Sequence, residues 1–202
     1  MWRRPKERDE DLHNQWQIEQ PSYEAAQLVF LDESGAHERT CDRQYGRSLK
    51  STEAIRKQPF KRSKKWTFLP ALTINGYLAC RVIHGSVNAD IFCQFLEDEV
   101  LPQCKPGYTV VVMDNVKLHH RQRVKELCEA WDIWLKFLPP YSPHLNPIEA
   151  SFAVVKAWIK RNRHLVVDFE DFGEFLTYGI SQVNIKKEEV EGFFRQAGYC
   201  WY

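Results

Sequence analysis

Short apolar runs separated by polar stretches, in two different periods, organise this chain. In AQLVFLDESG (26–35) an apolar run ends in acidic and small residues, which predicts a buried strand opening into a loop. Residues 36–65 are polar, with RQYGRS admitting a second strand or hairpin. WTFLPALTINGYLACRVIHGSV (66–87) predicts two strands joined at Asn75-Gly76, a strong hairpin-turn signal. YTVVVMDN (108–115) is a β-branched run stopped by Asp-Asn, and IWLKFL (133–138) predicts a further strand.

Helical spacing fills the intervals. Phe92, Phe95, Leu96 and Val100 share one face, with Pro102 closing the segment. Val124, Leu127, Cys128 and Trp131 follow at i, i+3, i+4, i+7. A third helix begins near Pro147, and VDFEDFGEFLTYGISQV and KKEEVEGFFRQAGY predict one or two more. Strands and helices alternate in the second half, so an α/β fold is expected, with parallel neighbours and an antiparallel hairpin edge in one mixed sheet. Residues 1–25, polar and charged with a helix-compatible ERDEDLHNQWQ, read as an arm or linker. Residues 26–164 then form the main domain and 165–202 a C-terminal helical extension.

Composition narrows the class. A chain of 202 residues, 44% hydrophobic and 13% aromatic, suits one domain with a sizeable core. With a net charge of +1, nucleic-acid binding has to come from local basic patches. Six scattered cysteines without a C-x-x-C pair argue against a zinc cluster or a disulfide framework. No H-x-x-x-H pair points to a zinc enzyme. The charged opening is unlike a signal peptide, and no apolar run reaches membrane-spanning length. A soluble intracellular protein with no membrane partner is expected.

The candidate chemistry lies at strand ends. Asp32 and Asp114 each close an apolar run, and in open α/β sheets sites gather at the carboxyl ends of strands. If those strands are neighbours, the two carboxylates lie together and call for a hard divalent cation such as Mg²⁺ or Mn²⁺. Glu149 ends LPPYSPHLNPIE (138–149), a stretch holding four prolines. Its plain reading is a helix start, with Asn146 as N-cap, Pro147 first and Glu149 as capping glutamate. Two features favour a site instead. The prolines fix the approach more rigidly than a cap needs. Lys156, Lys160 and Arg163 also share the side of Glu149, away from the buried stripe of Ile148, Phe152, Val155 and Ile159.

Taken together, FLDESG, VVMDNVKLHH and LPPYSPHLNPIE resemble the three signature blocks of the DDE superfamily endonuclease domain of mariner-type transposases, in the form seen in fungal genomes. The 34 residues between Asp114 and Glu149 match that family's spacing, and WTFLPALTINGYL and SFAVVKAWIKRNR also look like family sequence. The resemblance implies a ribonuclease H-like fold, a mixed five-stranded sheet flanked by helices. It implies Asp32, Asp114 and Glu149 as catalytic and metal-holding residues for two Mg²⁺ or Mn²⁺ ions, with Asn115 and His119 in supporting positions. It further implies double-stranded DNA, transposon ends and target, as partner, a homodimer or larger assembly, and a nuclear location. His144 stands where the family usually has aspartate, which is expected to alter loop hydrogen bonding or DNA contact. No helix-turn-helix region precedes residue 25, so a catalytic domain alone is expected.

Lys61, Arg62, Lys64 and Lys65 in KQPFKRSKK provide a phosphate-contacting loop, a nuclear localisation signal or a solvated surface loop. Glu33 is expected to point away from Asp32's side. Glu97, Asp98 and Glu99 are expected on an exposed helix face, and Trp66, Trp131, Trp134 and Trp158 in the core. The functional expectation is a metal-dependent DNA endonuclease and strand transferase. The alternatives are a silent or domesticated DNA- or protein-binding module and a different ribonuclease H-like nuclease.

Overall fold

The computed structural model describes residues 10–41, 47–53, 55, 64–114, 118–183 and 187–199. In chain order the strands are β1 (Leu28–Leu31), β2 (Ser34–His37), β3 (Lys65–Thr73), β4 (Gly76–His84), β5 (Val110–Met113) and β6 (Trp134–Phe137). The helices are α1 (Glu10–Glu19), α2 (Ala89–Phe95), α3 (Leu118–Ala130), α4 (Ile148–Arg161), α5 (Phe172–Gln182) and α6 (Lys187–Gln196). A π-helical turn, Leu96–Val100, and a 3₁₀ turn, Leu101–Gln103, prolong α2 to the predicted proline stop.

The sheet order is β2-β3-β1-β5-β6, with β4 also paired to β3. β1, β5 and β6 run parallel, while β3 is antiparallel to β1, β2 and β4. This is the expected ribonuclease H-like mixed sheet, but with six strands among the described residues rather than five. The extra strand continues β1. Leu31 pairs with Ala71 and Ser34 with Phe68, so one register along β3 runs through both strands and is broken only at Asp32-Glu33. The Glu33 amide donates to Asp32 Oδ1 at 2.7 Å, which favours a break at that point. Small residues in buried–exposed alternation, Ser34 to His37, then resume the strand without the β-branched run that would announce it.

Alternate side chains divide the core into two layers. On one face Leu28, Phe30, Phe68, Leu72, Val110 and Val112 pack against residues of α4, α5 and α6 and against Trp16 of α1. On the other, Val29, Leu31, Leu69, Ala71 and Val111 meet Phe95, Leu96, Val100, Val124 and Cys128. Trp16 is buried, so part of the expected arm contributes to the core. Residues of the expected C-terminal extension do so too, through Phe175, Leu176, Val190 and Phe194.

The β3–β4 turn falls on Ile74-Asn75, with Gly76 at φ +109° opening β4, one residue from the expected apex. Trp131 and Trp134 are 37% and 47% exposed and leave the predicted core set; the first lies beyond the end of α3 and the second on edge strand β6. Trp66 and Trp158 pack against the core as expected. Glu97 and Asp98 are exposed, but Glu99 is half-buried and bonded to Arg81 at 2.7 Å. The RQYGRS segment lies largely outside the described residues. None of the described helices is long and apolar enough to cross a membrane.

Candidate active site

Parallel pairing of β1 with β5 sets Leu31 opposite Met113, so the next residues, Asp32 and Asp114, leave adjacent strands side by side. Neighbouring strands lie about 4.8 Å apart, close enough for the two carboxylates to feel each other. Their neighbourhood at the carboxyl end of the sheet is the one expected of an open α/β fold.

The third acid arrives through the proline-rich loop. The Leu138 amide still donates to Met113 O at 2.8 Å, prolonging the β5–β6 ladder by one residue. The chain then turns through a 3₁₀ segment, Pro143–Leu145, and Tyr199 Oη donates to Leu145 O at 2.9 Å, anchoring the loop to the C-terminal segment. α4 begins at Ile148 with Ile148, Phe152, Val155 and Ile159 buried, the predicted stripe. Tyr77 Oη, 2.8 Å from Ser151 Oγ, ties this helix to β4. Glu149, exposed in the first turn of α4, has its backbone N–H on Asn146 O at 3.2 Å.

Asn146 departs from the capping expectation. Pro147 occupies the N-cap position and no side-chain cap bond forms. The Asn146 amide Nδ2 instead donates to Asp32 Oδ2 at 3.1 Å. The first acid is thereby tied to the loop carrying the third, and both Asp32 oxygens are held, one by Asn146 and one by Glu33.

Electrostatics link the three acids. Burial pushes the Asp32 carboxyl up to about 7 against the pull of the Glu33 amide, and the charges of Glu149, Asp114 and Glu33 add to the rise. Glu149 is raised by desolvation and by Asp114, while Lys156 pulls it down. Asp32 therefore feels both other acids, and Glu149 feels Asp114. Among the described residues, however, no group of three His, Cys, Asp or Glu side chains is arranged to hold a metal ion. Repulsion among carboxylates at one sheet end is the kind that a divalent cation relieves. The donor set still fits a hard divalent cation. It is all oxygen, and the Oδ1 of Asn146, next to Asp32's partner Nδ2, is buried without a hydrogen-bond partner.

The other candidates divide. Lys156 is half-buried, with its Nζ 6.0 Å from the Phe152 ring centroid, and it compensates Glu149. Lys160 is exposed and Arg163 half-buried further along the same segment. Lys64 and Lys65 are exposed near the start of β3, and Lys65 Nζ donates to Ser86 Oγ at 2.8 Å. Asn115, Lys61, Arg62 and the side chain of His119 lie outside the described residues. His144 has its Nε2 3.1 Å from Nε2 of His13, a buried residue of α1, so loop hydrogen bonding does involve this position. The NPIE motif displayed Asn146, but capping chemistry alone gave no sign of its bond to Asp32.

The fold matches solved structures of Mos1 transposase. A paired-end complex with left transposon end superposes with a TM-score of 0.73 at 18% identity, covering 98% of this chain and 62% of that one. The mariner paired-end complex with Mn gives 0.60 at 20% identity, covering 100% and 67%. The catalytic domain of Mos1 mariner transposase gives 0.54 at 18%, covering 100% and 98%. At these identities the likeness shows the fold, and the chain spans less than two thirds of the first of these chains. No curated protein matches in sequence. A family model described as DDE superfamily endonuclease covers residues 27–172, well over half the chain, and embraces all three acids. The chain belongs to the DDE superfamily endonuclease family.

Proposed function

We propose that this chain is the catalytic part of a DNA transposase, cutting phosphodiester bonds of double-stranded DNA and joining freed 3′ ends to target DNA. Asp32, Asp114 and Glu149 are its catalytic residues and hold two Mg²⁺ or Mn²⁺ ions. One observation carries the reading: the register of β1 and β5 delivers two aspartates to one sheet end, where the charge of Glu149 acts on Asp32 and that of Asp114 on Glu149. Mos1 transposase, which shares the fold, has been crystallised in paired-end complexes with Mn and with Mg.

Bound divalent ions supply a nucleophile from water or a DNA 3′-hydroxyl and stabilise the leaving oxygen. The chain's own residues position and neutralise. Asn146 and the Glu33 amide orient Asp32. Lys156 offsets the charge of Glu149, and Lys156, Lys160 and Arg163 offer a cationic track for the DNA backbone. No covalent protein intermediate is required, because in-line displacement rests on positioning and electrostatics. Two copies holding two DNA ends form the assembly that this reading requires.

Supercoiled plasmid incubated with the protein and Mn²⁺ tests the proposal. Wild type is expected to nick the plasmid, and Asp32→Asn, Asp114→Asn and Glu149→Gln to behave like wild type in EDTA. Equal cleavage by wild type and Asp114→Asn removes the enzyme reading. The near-neutral charge then favours a silent binding module.

A further inference from the structure

Asn146 is 6% exposed, and its two amide atoms meet different fates. Nδ2 donates to Asp32 Oδ2 across 114 positions of sequence, whereas Oδ1 is buried with no partner. Its backbone is engaged as well: its N–H closes the 3₁₀ turn on Pro143 O, and its carbonyl accepts the Glu149 amide. One residue thus touches the first acid through its side chain and the third through its backbone. Burying an unsatisfied carbonyl is unfavourable, and an alanine here would avoid it. Capping does not account for the side chain, since it makes no cap bond.

We infer that Asn146 is a positioning residue of the metal site, holding Asp32 in a fixed orientation relative to α4 and directing its unpartnered Oδ1 to the ion or to water bound on it. The inference rests on the proposed function of the three acids. It adds a neutral oxygen to a charged set and locks the distance between strand end and helix, as outer hydrogen-bonding partners do at metal centres. The neutral amide suits this place, because a fourth carboxylate would add to the repulsion already acting on Asp32.

Calorimetric titration of Mn²⁺ alone into the full chain, without DNA, tests this. Asn146→Ala is expected to weaken Mn²⁺ binding by about tenfold or more. The metal-free melting temperature should meanwhile change little, because losing the bond to Asp32 is offset by removing the orphaned carbonyl. A purely structural role gives the reverse, a lower melting temperature with unchanged affinity, and overturns the inference. Asn146→Ser, which retains a donor in a smaller side chain, is expected to fall between and is read in the same way if the alanine variant fails to fold. Asp114→Asn separates the two claims. If it abolishes binding while Asn146→Ala (or Ser, should Ala not fold) stays within about twofold of wild type, the acids keep their role and Asn146 loses its own. If wild type itself binds no Mn²⁺, or Asp114→Asn binds as wild type does, both claims fall.

Discussion

Asp32 is a carboxylate in an unfavourable setting, half-buried and surrounded by the charges of Glu149, Asp114 and Glu33. Its titration near 7 in the folded chain, against an ordinary 3.8, means that the native state keeps a proton which the unfolded chain releases. The associated stability is complete below about pH 4 and is lost as pH rises through about 7, up to about 4 kcal/mol at about 1.4 kcal/mol per unit. Urea melts without metal should therefore show wild type weakening from pH 4 to 7. Asp32→Asn, which has no charge to bury, should flatten this slope and be the more stable protein at pH 8. If wild type matches Asp32→Asn at pH 8, the buried-charge account fails. A divalent ion competes for the same oxygens as the proton, so Mn²⁺ affinity should increase through the same window.

Among the elements, α4 and α5 were largely readable and β2 was not. The apolar stripe of α4 follows from its 3.6-residue period, and each of its four members is buried. β2 has no apolar run, and its pairing is inherited from β1 through the shared edge of β3. Packing between elements adds constraints that period alone does not contain. Gly173 in α5 lies beneath Trp66 of β3, where an added Cβ would come within 2.3 Å of the indole. Gly173→Ala should destabilise the fold by about 1–3 kcal/mol, read as a lower urea midpoint at constant slope. Gly192→Ala in α6 meets open space and should be neutral or stabilising by up to about 1 kcal/mol. Equal effects of the two would mean that Trp66 does not rest on α5.

At the scale of the whole molecule, a net charge of +1 leaves DNA affinity to local arrangement. Lys156 and Lys160 lie one turn apart on α4, the helix that carries Glu149 in its first turn. Replacing both with alanine should reduce the slope of log affinity against log salt by about 2 in magnitude, as each lost phosphate contact removes about 0.9. Gel shifts over a salt series with an unchanged slope would take this face out of the DNA interface.

The chain's local patterns were enough to determine the strands that end in Asp32 and Asp114, the helix that carries Glu149 and the class of the fold, because periodicity and proline chemistry act over a few residues. Tertiary structure alone decided that β1 lies beside β5 with Leu31 level with Met113. It also turned Asn146 from a helix cap into the partner of an aspartate 114 positions away. Such pairings depend on which surfaces meet when the sheet and helices pack, and no local period records that.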